Sequence, residues 1–314
     1  MSVDWKRGIS LLRRTFRKLK VPEYWHKNSP KTYTVPQHGI MLVFCRRYFK
    51  SYADFVENIE NTRLPELLNL QGIPDEGTLC KEEKRLKKYL EAAALMLAAA
   101  VLPKNFVASA DMTGLATRRA SPYYVKRVMG AFSRRGYARL ELLVHKRLIV
   151  GFVMRLTRQD ELHMLCVLWK KVGKKPTILV YDKKGDCERH HEWLEKQGVR
   201  SIAPVRKGAR RGTIRRKLMK NFPQKTYNKR NWSETVNAIF KHFFGDSLSA
   251  YTLLGRRAEI TTKILAYNLF QRIRTRSFLL LLELFNMAQD DGRRCRAMRL
   301  QAMPELQANP LGRI

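Results

Sequence analysis

The chain has 314 residues, 45% of them hydrophobic, which is enough for a substantial buried core and excludes a disordered tail. It carries 62 Lys and Arg against 27 Asp and Glu, a net charge of +35, so a polyanion is the natural partner. The longest apolar run, at 92–102, is shorter than the ~20 residues a bilayer requires, and no signal peptide or lipidation motif is visible at the N-terminus. Nucleic acid is therefore expected in place of a membrane.

In chain order, residues 1–104 read as mostly helical: "DWKRGISLLRRTFRKLK", then "YFKSYADFVENIENTRLPELLNL", then "KEEKRLKKYLEAAALMLAAAVL", with Thr78 as the expected cap of the third helix. Nine basic and two acidic residues stand between Met1 and Lys31. This region is a candidate DNA-binding or dimerisation segment. The pattern changes at "KNFVASADMTGLA", an apolar strand expected to end at Asp111, with a turn beginning at Thr113 and Gly114. "ARLELLVHK" and "RLIVGFVMRL" form the outline of a hairpin around Lys146. A helix over 160–171 follows, then a strand "TILVYD" stopping at Asp182, a helix "ERHHEWLEKQG" closed by Gly198, and a strand "VRSIAPV".

Five cysteines, Cys45, Cys80, Cys166, Cys187 and Cys295, are odd in number and lie far apart, which argues against a disulfide framework or a zinc module and for a reducing cytoplasm. His190 and His191 are expected on an exposed helix start. From Arg206 to Arg230 there are eleven basic residues and no acid. Arg206, Lys207, Arg210, Arg211, Arg215, Arg216 and Lys217 form its dense part, an expected phosphate track whose binding falls steeply with salt.

"YNKRNWSETVNAIFK" follows. On a helix advancing about 100° per residue, Tyr227, Arg230, Glu234 and Lys241 share one narrow face, while Trp232, Val236, Ile239, Phe240 and Phe243 fall on the opposite side. Asp111, Asp182 and Glu234 are three carboxylates on separate elements of a very basic chain. Such a set suits a two-metal phosphodiester site, because Mg²⁺ prefers hard oxygen ligands and two ions about 3.5–4 Å apart serve both the attacking and the leaving oxygen.

Here the chain resembles the insertion-sequence DDE transposases of prokaryotes. "DMTG" matches the first motif with Asp111, and "VYDKKGD" the second with Asp182. Tyr227, Arg230, Glu234 and Lys241 match all four positions of the Tyr-x2-Arg-x3-Glu-x6-Lys signature. The likeness covers Asn105 to Ile273, including "KILAYNLFQRI". One departure stands out: the Gly-Tyr usual after the second Asp is replaced by Lys184-Gly185, with Asp186 keeping the last turn position. Asp182 is the expected second carboxylate because it ends the apolar strand, and Asp186 is the alternative.

The order of elements implies a mixed α/β sheet flanked by helices, beside a helical N-terminal region over 1–104 and a C-terminal helix and basic tail over 274–314; the resemblance implies that the sheet belongs to an RNase H-like catalytic domain over 105–273. It implies transposon-end cleavage and joining of the freed 3′-hydroxyl to target DNA. Asp111, Asp182 and Glu234 would hold two Mg²⁺ ions, with Mn²⁺ able to substitute. Arg230 and Lys241 would clamp phosphates, and Tyr227 would stack on or bond to an end nucleotide. The implied partners are double-stranded DNA (terminal inverted repeats and target) and a second copy of the chain, in a cytoplasmic, nucleoid-associated setting. Two other readings stand beside it: a noncatalytic DNA-binding protein derived from such an enzyme, and an RNase H-like nuclease without strand transfer, which shares the carboxylates but has no need of the Tyr-Arg-Glu-Lys array.

Overall fold

The computed structural model describes residues 5–117, 137–156, 161–209 and 211–274. The chain divides into one unit of Met1–Gln271 and a second of Arg272–Ile314. The C-terminal helix expected over 274–314, the arginines of its basic tail and Cys295 fall, past residue 274, outside the described residues.

The N-terminal segment is helical, as its composition implies, but it is divided differently. Helix α1, Trp5–Lys18, buries Ile9, Leu12 and Phe16. Helix α2, Val35–Tyr48, is an addition to the expected set: Thr34 and Gln37 close a capping box, and the run from His38 to Cys45 is buried on all sides. The single helix expected over 48–70 is instead α3, Tyr52–Asn58, a 3₁₀ turn at Ile59–Asn61, and α4, Leu64–Leu68. Helix α5, Glu76–Ala99, is capped by Asp75 and not by Thr78. The Asp75 carboxylate accepts the Thr78 amide at 2.8 Å and the Thr78 hydroxyl at 2.7 Å, so Thr78 is the residue being satisfied.

The sheet has five strands in the order β3-β2-β1-β4-β5. They are β1 (Val107–Ala116), β2 (Tyr137–His145), β3 (Leu148–Arg155), β4 (Ile178–Val180) and β5 (Arg200–Ile202). The first three are antiparallel neighbours, and β4 and β5 run parallel to β1. This is the mixed, RNase H-like α/β sheet expected from the sequence. The hairpin turns at Lys146, which takes a left-handed backbone with φ 53°. β1 does not stop at Asp111: it stays paired with β2 from Ser109 opposite Val144 to Ala116 opposite Tyr137, so Thr113 and Gly114 are strand residues. Cross-strand pairing outweighs the local turn tendency of a Thr-Gly step.

Alternation along β1 separates two environments. Ala108 and Ala110 face an apolar core with residues of α6 (Glu161–Trp169), Leu179, Tyr181, and Leu194 of α7 (Glu188–Lys196). Ser109 and Asp111 face α10 (Asn231–Phe244). Between β5 and α10, the stretch expected to be an open basic track contains α8, Thr213–Lys220, and α9, Gln224–Tyr227. Gly212, with φ 112°, turns the chain into α8, and the Glu188 carboxylate accepts the amides of Ile214 at 2.8 Å and Arg215 at 3.1 Å.

Residues 253–274 are helical (α11) and include "KILAYNLFQRI". From this helix Asn268, fully buried, donates to the carbonyls of Ala94 on α5 at 3.1 Å and Ile149 on β3 at 2.8 Å, and accepts the Ile149 amide at 3.0 Å. No helix among the described residues is long and apolar enough to cross a membrane.

Candidate active site

Parallel pairing brings the first two carboxylates to one level of the sheet. Val107 pairs with Ile178 and Ser109 with Val180; Asp111 is two residues past Ser109, as Asp182 is two past Val180. The period-2 alternation turns both toward the face that carries α10. Asp182 has extended backbone, caps the 3₁₀ turn Lys183–Gly185, and accepts the Lys183 amide at 2.7 Å.

Asp111 is half-buried. Burial raises its carboxyl above the usual range, against the downward pull of bonds from Asn237 and the Met112 amide and of the Arg230 charge. Nδ2 of Asn237 is 2.8 Å from Oδ2 of Asp111.

The signature segment runs through α9, a 3₁₀ turn at Asn228–Arg230, and α10. In a 3₁₀ turn positions three apart lie nearly in line, which puts Tyr227 and Arg230 on one side of the chain. Arg230 Nη2 donates to Glu234 Oε1, and Arg230 Nη1 lies 3.7 Å from Asp182 Oδ1. One guanidinium thus joins the second and third carboxylates of the expected triad, with its charge also felt at Asp111. Tyr227 is half-buried edge-on against Phe222 at 5.2 Å; burial raises its hydroxyl pKa, Arg230 lowers it, and Asp182 and Glu234 raise it. Lys241 stands two turns beyond Glu234 on the same helix, also half-buried.

The buried side of α10 differs from the expected stripe. Val236 and Phe240 are buried, but so are the polar Ser233 and Asn237. Ser233 Oγ is 2.8 Å from Ser109 Oγ and donates to the Arg230 carbonyl at 2.8 Å. These polar partners escaped the sequence reading because a polar residue on a helix counts as exposed until its partner is known.

Asp186 is not placed with the three carboxylates. Its side chain is fully buried and accepts from Arg215 Nε at 2.8 Å and the Arg206 amide at 2.8 Å, with His191 Nε2 at 3.4 Å. His190 and His191 are buried, not on an exposed helix start: His191 Nδ1 meets Ser201 Oγ at 2.6 Å and Tyr181 at 3.1 Å, and His190 stacks on Trp193.

The basic stretch divides accordingly. Arg206 donates to the carbonyls of Lys183 and Lys184, and Arg215 is taken by Asp186. Lys207, Arg211, Arg216 and Lys217 are exposed, and Arg210 lies outside the described residues.

Among the described residues no three His, Cys, Asp or Glu side chains stand together as a ready metal group. The donor chemistry nonetheless fits a divalent cation. Asp182 and Glu234 offer hard oxygens, and a cation, the Arg230 guanidinium, already joins them.

The family model "Transposase DDE domain" matches residues 107–269, more than half of the chain. No curated protein sequence matches. Among solved structures, the chain is similar to the piggyBac transposase synaptic complex with hairpin DNA, at 10% identity over 86% of this chain and 73% of that one, with a TM-score of 0.42. It is also similar to the Mos1 strand transfer complex, at 11% identity over 83% and 84% of the two chains and a TM-score of 0.23. The Mos1 mariner paired end complex with Mn matches at 10% identity over the same shares, with a TM-score of 0.22. On the family match, the chain belongs to the transposase DDE domain family.

Proposed function

We propose that the protein is an insertion-sequence DNA transposase that cleaves transposon ends and joins the freed 3′-hydroxyl to target DNA. The observation that carries this reading is the convergence of Asp182, Arg230 and Glu234, with the Arg230 charge also felt at Asp111. In the first step water attacks the end phosphodiester; the phosphorus–O3′ bond breaks, the flank keeps the phosphate, and the transposon oxygen takes a proton. In the second, that 3′-oxygen attacks a target phosphorus and displaces the target 3′-oxygen.

Asp111, Asp182 and Glu234 would hold two Mg²⁺ ions, or Mn²⁺ in their place. Bound there, the cations would supply Lewis-acid stabilisation of the attacking and leaving oxygens. The chain's own part is positioning. Arg230, released from the carboxylates, has a planar fork suited to a phosphate beside the scissile bond, and Lys241 offers a second cation along the same helix. Tyr227 presents an aromatic edge beside Arg230 for the end nucleotide. The exposed Lys207, Arg211, Arg216 and Lys217 hold flanking phosphates without reading sequence. Two DNA ends call for a homodimer in the DNA complex.

The test is Mg²⁺-dependent cleavage and joining of a labelled DNA carrying the repeats that flank the protein's own gene, with Glu234→Gln as the control. Cleaved and joined products, both lost in the variant, support the reading. Cleavage without joining leaves an RNase H-like nuclease, and binding with no cut by either protein leaves a noncatalytic DNA-binding protein.

A further inference from the structure

The strand that carries Asp111 and the helix that carries Glu234 meet through two polar rungs. Ser109 and Asp111 are two residues apart on β1, so they leave the same face about 6.6–6.8 Å apart along the strand. Ser233 and Asn237 are four apart on α10, about 6 Å along its axis. The near match of these repeats lets both pairs bond together: Ser109 Oγ to Ser233 Oγ at 2.8 Å, and Asn237 Nδ2 to Asp111 Oδ2 at 2.8 Å. Both serines are fully buried, and Asn237 is 8% exposed. Sliding α10 by one residue would break both rungs inside the protein.

We propose that this ladder sets the placement of Glu234 relative to Asp111, and that Asn237 is a positioning residue that turns the Asp111 carboxylate toward the bound cation. The inference rests on the metal-dependent reading of the site. Glu234 follows Ser233 directly, so the rung that fixes Ser233 fixes where Glu234 leaves the helix. At the second rung Asn237 engages one oxygen of Asp111. Its own Oδ1 is buried without a hydrogen-bond partner among the described residues, a cost that an apolar side chain of the same size avoids. Packing alone therefore does not account for Asn at this position; its donor does.

The experiment is a Mn²⁺ titration of the full chain, read by the electron paramagnetic resonance of free Mn²⁺, on wild type, Asn237→Leu and Asn237→Ala. Thermal midpoint and DNA affinity are measured alongside. Loss of an outer partner of a metal-binding carboxylate typically weakens metal binding 10- to 100-fold. Both variants are thus expected to need about tenfold more Mn²⁺, with DNA affinity unchanged and cooperative melting retained at a lower midpoint, because Asp111 Oδ2 loses its donor. In an Asp111→Asn background, Asn237→Leu is expected to add nothing, because the two substitutions remove one device.

Wild-type Mn²⁺ affinity in either folded variant overturns the role of Asn237, as does an additive effect in that background. A wild type that binds no Mn²⁺ overturns the metal reading of the site and this inference with it. The two failures are thereby distinguished.

Discussion

Arg230 donates to Glu234 one helical turn further on, so the residue expected to grip a phosphate is bonded to a carboxylate expected to grip a metal. Its second nitrogen reaches toward Asp182. A guanidinium suits this place because its flat fork addresses two oxygen groups together, which an ammonium cannot do in the same way. On the proposed reaction, Arg230 and the divalent cations compete for the same carboxylates. Arg230→Ala is therefore expected to lower the Mg²⁺ concentration at half-maximal cleavage while slowing cleavage at saturation by about 100-fold, the scale of removing one transition-state donor. Cleavage measured across a Mg²⁺ series separates the two effects; an unchanged midpoint would remove the competition.

Asp182 and Asp186 are four residues apart and lie in opposite surroundings, the first partly exposed and the second fully buried. Burial pushes the Asp186 carboxyl up, but Arg215, the Arg206 amide and His191 together hold it below the usual range. A depressed folded pKa gives stability that is present above the ordinary Asp range and lost as pH falls through the folded value. Asp186→Asn is expected to cost about 3 kcal/mol at neutral pH, since it leaves Arg215 without its buried partner, and the difference from wild type should shrink in acid. Asp182→Asn, at a site 37% exposed, is expected to abolish cleavage with little change in stability. Urea unfolding at two pH values checks the pair; equal stability losses would defeat the distinction.

Asp111 shows the reverse sign. Its carboxyl is raised by burial, so its contribution to stability is full below the ordinary Asp range and is lost as pH rises through its folded value. Asp111→Asn is then expected to raise the melting temperature at neutral pH, with the gain fading in acid, while cleavage is lost. A variant less stable than wild type at neutral pH would contradict this.

The exposed cations of the basic stretch are expected to act through counterion release. Replacing Lys207, Arg211, Arg216 and Lys217 by alanine should reduce the slope of log affinity against log salt by roughly 0.9 for each phosphate that is no longer neutralised, whatever the DNA sequence. Arg215→Ala should instead act on stability, since that side chain is committed to Asp186. A filter-binding series over salt, beside thermal melts, tells the two groups apart.

The hairpin at Lys146 and the presence of a strand carrying Asp111 were legible because each rests on local pattern. What was not legible depends on partners distant in the chain. Helix α2 is buried on all sides from His38 to Cys45, so it lacks the one-sided stripe by which a helix is recognised. β1 outruns its apparent turn at Thr113 and Gly114 because β2, some thirty residues later, pairs along its length. Nothing local singles out Asn237, whose partner Asp111 lies 126 positions away. The basic stretch read as one track, yet the buried Asp186 removes Arg215 from it and Arg206 folds back onto Lys183 and Lys184.

Asn268 ties α5, β3 and α11 at one buried point, through Ala94 and Ile149. That knot closes only after residues 94, 149 and 268 have all been made, so an emerging chain cannot complete its core until most of it has left the ribosome. Because both acceptors are main-chain carbonyls, the knot depends on where α5 and β3 run and not on which side chains they carry at 94 and 149, so a change of backbone path in either element would leave the buried Asn268 amide unpaired.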